Sequence, residues 1–114
     1  MSQYVHDLSE AALDDELVQS REPILVDFWA PWCAPCRAMS PAIEAAAQKL
    51  AGEAKVYKIN VDDNPSISSR FSIRGIPTLI LFKDGREANR LVGLCSMDEI
   101  EALVNKREGA HLNS

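Results

Sequence analysis

Three short apolar runs, "ILVDFWA" at 24–30, "KVYKINV" at 55–61 and "TLILF" at 78–82, constrain this chain more than any other feature. Their apolar character is nearly continuous, most of all at 24–30, the pattern of strands covered on both faces. Helical patterns lie between and after them. Ser9 reads as an N-cap, with Leu8 and Leu13 placed for a hydrophobic staple and Leu17 on the same face as Leu13. From Pro35 to Ala51, Met39, Ile43, Ala47 and Leu50 recur at helical spacing, and Gly52 stands where a C′ residue belongs. Pro41 falls inside that helix, removing a backbone donor and predicting a kink near the helix start. Asn64-Pro65 reads as an N-cap and first helical residue, opening a short helix through Phe71. Asp84-Gly85 suits a tight hairpin turn leading into the returning strand "EANRLV". Ser96 and Glu99 form a capping box for a last helix that turns Ile100, Leu103 and Val104 inward. With "QYVHD" as a short first strand, the order is βαβαβαββα. The expected architecture is α/β, with a mixed, mainly parallel central sheet of about five strands ending in an antiparallel hairpin, and helices on both faces.

The chain has 114 residues, a length for one domain, here expected over 1–107 with a frayed tail at 108–114. Its net charge of −5 weighs against nucleic-acid or anionic-membrane partners. No apolar run approaches the ~20 residues of a membrane-spanning helix, and the first residues carry no secretion pattern. Three cysteines are too few for a secreted disulfide framework, so a reducing cytoplasm is the expected compartment.

Two of those cysteines, Cys33 and Cys36, stand two residues apart in "FWAPWCAPCRAM", between the end of a buried strand and the start of a helix. In open α/β sheets, sites gather at the carboxyl ends of strands. Unpaired N–H groups and the dipole at a helix N-terminus favour a thiolate. Their spacing puts Cys36 one turn further in, within reach of Cys33 and expected to be less exposed. Pro35 suits the first helical turn. The competing reading is half of a zinc site, for which only Cys95, His6 and His111 remain as further ligands, with no second closely spaced pair.

"WCAPC" closely resembles the thioredoxin active-site signature, usually W-C-G-P-C. "VDFWAPWCAPCR", "KINVDDNP", "IRGIPTLILFKDG" and "LVGLCSMDEI" resemble thioredoxin blocks in order and spacing, over nearly the whole chain. The resemblance implies that Cys33 attacks a target disulfide and Cys36 resolves the mixed disulfide. It implies that Asp27 assists proton transfer with Lys58 as its neighbour, and that Pro77 is a cis-proline facing the disulfide. Trp32, Gly75, Ile76, Val92 and Gly93 match the shallow surface on which target segments lie, beside Ala34 and Pro35. Ala34 replaces the usual glycine, which puts the inherited reduction potential in question.

Several residues carry a second reading. Asp27 interrupts an apolar strand, so it is either a buried carboxylate of raised pKa or a strand-end group facing water. Lys58 is either its cation or a snorkelling side chain. Trp29 is expected in the core and Trp32 at the surface, while Gly75 and Gly93 could be plain turn residues. Cys95, just before the N-cap Ser96, is either a small packed hydrophobe against Ile100 or a regulatory thiol.

The function implied is a thiol–disulfide oxidoreductase, a general protein-disulfide reductase passing two electrons from the Cys33/Cys36 dithiol to target proteins. No histidine stands between the cysteines to favour the thiolate, which points towards a reductant; an oxidase or isomerase is the alternative redox role, and a redox-silent binding module using the Trp32–Ile76–Gly93 surface of the same fold is the alternative of another class. No bound cofactor or metal is expected. The resemblance implies recharging by a thioredoxin reductase, NADPH-linked, with disulfide-containing proteins as partners and a monomeric state.

Overall fold

The computed structural model describes residues 2–105. The tail expected at 108–114, with His111, lies outside the described residues. The elements are β1 (Val5–Asp7), α1 (Glu10–Gln19), β2 (Ile24–Trp29), α2 (Ala34–Lys49), β3 (Lys55–Asn60), α3 (Ile67–Arg70), β4 (Thr78–Lys83), β5 (Arg86–Val92) and α4 (Met97–Asn105). They form one five-stranded sheet in the order β1-β3-β2-β4-β5. β1 and β2 both pair with β3 in parallel, β4 runs against β2, and β5 runs against β4, so all strands but β4 share one direction. The expected α/β class and mainly parallel sense therefore hold.

Alternation along the central strands divides the interior in two. On one face Leu25, Leu79 and Leu81 pack with Met39 and Ile43 of α2 and with Ile100, Leu103 and Val104 of α4. On the other, Ile24, Val26, Phe28, Ile80 and Phe82 pack with Leu13 of α1 and Ile67 of α3. Burying each such side chain contributes roughly 1.5–3 kcal/mol before ordering costs. Phe71 joins the second layer through tilted and edge-on contacts to Phe28 and Phe82.

Local signals operate as their chemistry requires. Ser9 Oγ accepts the Ala12 N–H at 3.1 Å, and Leu8 packs with Leu13 in the same cluster. Ser96 and Glu99 exchange reciprocal bonds of 2.9 and 3.1 Å. Asp84 and Gly85 both take positive φ (53° and 78°), joining β4 and β5 in a two-residue turn of the mirror-image type favoured by hairpin twist. A Cβ at Gly85 would come within 3.0 Å of the Leu17 carbonyl oxygen, so the turn lies tight against α1.

The bounds of two helices differ from expectation. Helix α2 starts at Ala34, runs on through Pro41 and ends at Lys49, and Gly52 lies two residues beyond the Leu50 cap rather than next to it. The short third helix starts at Ile67, not Pro65, with Ser66 in the cap position. The reason is long-range: Asn64 Oδ1 accepts the Glu10 N–H at 3.0 Å and its Nδ2 donates to the Asn60 carbonyl at 3.0 Å. The side chain thus serves the first turn of α1 instead of α3. Glu10 itself accepts from Ser66 Oγ (2.8 Å) and Arg70 Nη1 (2.9 Å), while Arg70 also reaches Asp14 (2.6 Å).

Candidate functional site

The carboxyl end of β2 delivers the chain into α2 through a turn closed by the Cys33 N–H on the Ala30 carbonyl (3.1 Å) and by Arg37 Nη1 on the Pro31 carbonyl (2.7 Å). Cys33 is the N-cap of α2, and its Sγ accepts the Cys36 N–H at 3.2 Å. The two cysteines are joined in a disulfide. A thiolate at Cys33 Sγ would hold that same N–H more strongly and would sit at the positive end of a 16-residue helix. Cys33 Sγ also lies 3.7 Å from the carbonyl oxygen of Ile76, whose bond to Pro77 is cis.

Cys36 is the less exposed of the pair, as expected, but Cys33, expected to be exposed, is enclosed as well: the two are 4% and 2% exposed. With Sγ bonded to its partner and facing Ile76, Cys33 is packed with Ala30, Trp29, Val61 and Ile76. Its access is from one side, through a cleft of about 480 Å³ lined by Trp32, Ala34, Pro35, Gly75 and Ile76 together with Val61, Ser68, Ile73 and Arg74. Trp32 is 67% exposed at this cleft, and its Nε1 donates to Asp62 Oδ2 at 3.0 Å.

Val92 and Gly93 stand beside the cleft. Gly93 has φ +95°, in the left-handed region, and its N–H donates to the Pro77 carbonyl at 2.8 Å. Val92 is 65% exposed and pairs with Thr78, whose hydroxyl donates to the Gly75 carbonyl. Leu94, next along and 63% exposed, continues this apolar lip. The sequence reading passed over Leu94, Asp62, Ile73 and Arg74. All four sit inside blocks it did single out, but only the fold brings Ile73 and Arg74 opposite Trp32.

Asp27 is buried on the face of β2 that α2 covers, level with Lys58 on β3 and Leu79 on β4. Its Oδ1 has no hydrogen-bond partner among the described residues. Desolvation pushes its pKa from 3.8 up to about 7, opposed by the positive charge of Lys58. That ammonium lies 4.6 Å from the ring centroid of Trp29, so Lys58 acts on Asp27 through space while resting on an aromatic face. Lys58 lines a separate polar cavity of about 460 Å³ with Asp7, Trp29, Asn60 and Asp63.

Cys95 does not line the cleft, although it follows the Gly93–Leu94 lip in sequence. It is buried in the α2/α4 layer, its N–H donates to Met39 Sδ (3.4 Å), and its thiol donates to the Gly93 carbonyl (3.2 Å). Burial first, then the charges of Glu99 and Asp27, push this thiol above its ordinary pKa, the opposite of activation. Packing is the reading this geometry favours. Among the described residues, no three His, Cys, Asp or Glu side chains come together as a metal site.

Residues 4–106 match the family model described as Thioredoxin. The chain is 42% identical over 102 residues to a thioredoxin of Porphyra purpurea, covering 90% of this chain and 95% of that protein. It is 46% identical over 86 residues to thioredoxin 1 of Synechococcus elongatus, covering 75% and 80%. Among solved structures, chloroplastic thioredoxin z superposes with a TM-score of 0.83 at 31% identity, over 93% of this chain and 96% of that one. A variant thioredoxin from Halobacterium salinarum gives 0.77 at 36% identity, over 88% and 86%. A redox disulfide capping the helix that follows a central strand, open to an apolar cleft beside a cis-proline, is thus found in a chain whose relatives share both sequence and fold: it belongs to the thioredoxin family and is a thiol–disulfide oxidoreductase.

Proposed function

We propose that this protein is a general reductant of protein disulfides, with Cys33 as the attacking and Cys36 as the resolving thiol. The observation that carries the reading is the placement of Cys33 Sγ, which receives the Cys36 N–H at the helix start and faces the cleft. In the reduced protein the Cys33 thiolate attacks one sulfur of a target disulfide. A Cys33–target disulfide forms, and the first target sulfur leaves as a thiolate. Asp27, poised near neutrality by burial, accepts the proton of the Cys36 thiol. The Cys36 thiolate then attacks Cys33 Sγ, closing the intramolecular disulfide and expelling the second target thiolate. Two electrons have passed to the target, and no bound cofactor takes part.

Trp32, Ala34, Pro35, Gly75 and Ile76 line the cleft that would hold the target's extended segment, with Val92 and Gly93 as its lip. Pro77 and Lys58 position the disulfide and Asp27 respectively. A thioredoxin reductase drawing on NADPH recharges the disulfide, and the protein acts as a monomer in a reducing cytoplasm, residues 1–107 forming its single domain. Two measurements test this. The protein should accelerate insulin reduction by a dithiol, and its potential should fall near the ~−270 mV general for thioredoxin. A potential nearer ~−120 mV would make it an oxidant instead.

A further inference from the structure

We propose that Arg74 selects targets carrying an acidic residue close to the disulfide to be reduced; this deepens the reductase reading above and rests on it. Arg74 is the only charged side chain among the residues lining the cleft, whose other walls are the indole of Trp32, Pro35, Val61, Ile73 and Ile76. It is exposed, and among the described residues it makes neither a hydrogen bond nor an ion pair. That sets it apart from the neighbouring arginines. Arg70 is held by Glu10 and Asp14, Arg90 by Glu87, and Arg37 by the Pro31 carbonyl. In a chain of net charge −5, an unpaired guanidinium at the mouth of an apolar cleft is a local reversal of sign.

The backbone that carries it is anchored on both sides. The Ile73 N–H donates to the Ser68 carbonyl at 2.7 Å, Arg90 Nη2 donates to the Phe71 carbonyl at 2.9 Å, and Thr78 holds the Gly75 carbonyl. The guanidinium therefore projects from a fixed base, and its ordering costs less on binding. A target segment laid against the apolar walls displaces water around Arg74. A cationic side chain there is repelled, whereas a carboxylate gains a planar, two-toothed partner. Asp62, which does not line the cleft, already accepts from Trp32 Nε1. The acidic target residue accordingly belongs on the Ile73–Ile76 side.

The test uses the full-length reduced protein and a set of peptide disulfides of one apolar sequence, differing only in an Asp, Gln or Lys within three residues of the cysteine. Second-order reduction rates are followed by tryptophan fluorescence at low and high salt. The Asp peptide should be reduced roughly three- to tenfold faster than the Lys peptide at low salt, the gap narrowing as salt rises. Arg74→Gln should remove the ranking and Arg74→Glu should invert it. Equal rates for all peptides with the wild-type protein, or a ranking that survives Arg74→Glu, overturn the assignment while leaving the reductase reading intact. Reduction of none of the peptides overturns both.

Discussion

Above neutrality the Asp27 carboxyl is ionised inside a layer of leucine and methionine side chains, with no hydrogen bond to Oδ1 among the described residues and only the charge of Lys58 on the neighbouring strand to offset burial. The unfolded chain bears no such burden. Between 3.8 and about 7 the unfolded state gives up the Asp27 proton while the folded state keeps it. The folded state then binds more protons, so stability falls as pH rises through this window and levels off above it. At about 1.4 kcal/mol per pKa unit, the interval corresponds to about 4 kcal/mol lost by pH 8. Asp27→Asn keeps the shape and stays neutral, matching the protonated acid of the wild type. The variant should be more stable than wild type by about 4 kcal/mol at pH 8 and by less than about 1 kcal/mol at pH 4. Urea denaturation of the oxidised proteins at several pH values measures this, with a midpoint shift of roughly 2 M expected at pH 8. A gap independent of pH, or an Asn variant less stable than wild type at pH 8, would refute the buried, unpaired carboxylate. Lys58→Met, by removing the opposing charge, should move the upper end of the transition to higher pH.

The same carboxylate links stability to chemistry: Asp27→Asn should slow release of the mixed disulfide roughly 10²-fold or more at pH 7, read in a single-turnover assay. Cys36→Ser should accumulate a covalent Cys33–target complex, visible on a non-reducing gel, because attack proceeds and resolution cannot. Cys95 should react with an aromatic disulfide reagent only when denaturant opens the fold, and Cys95→Ser should leave peroxide inactivation unchanged; rapid labelling of the native protein would restore the regulatory reading. Gly93→Ala has open space for its methyl group, so its cost is that of the left-handed backbone alone, about 1–2 kcal/mol by thermal or urea unfolding.

What was legible in the sequence was what neighbouring residues decide. Ser9, the Ser96/Glu99 box and the Asp84-Gly85 turn act over two to four residues, and each is where its pattern puts it. The cysteine pair was legible for the same reason, since a spacing of three on a helix start defines its own geometry. Asn64 failed because its carboxamide found a better use across 54 residues than beside Pro65. Spacing alone leaves Cys33 open, because it says nothing of Ile76, 43 residues away, whose carbonyl lies 3.7 Å from the sulfur. Arg74 became part of the site only because β4 turns back against β2 and brings the residues before it opposite Trp32.

The Glu10 junction has a consequence for how the protein opens. A four-residue helix cannot persist alone in water, so α3 depends on what holds it: Ile67 in the core, and the bonds from Ser66 and Arg70 to the first residue of α1. Asn64 ties the approach to α3 to the same residue. The α1 start and the segment leading to Ile73–Ile76 therefore form one unit of local unfolding. Glu10→Ala, at a residue that does not itself line the cleft, should speed amide hydrogen exchange along one whole wall of the cleft.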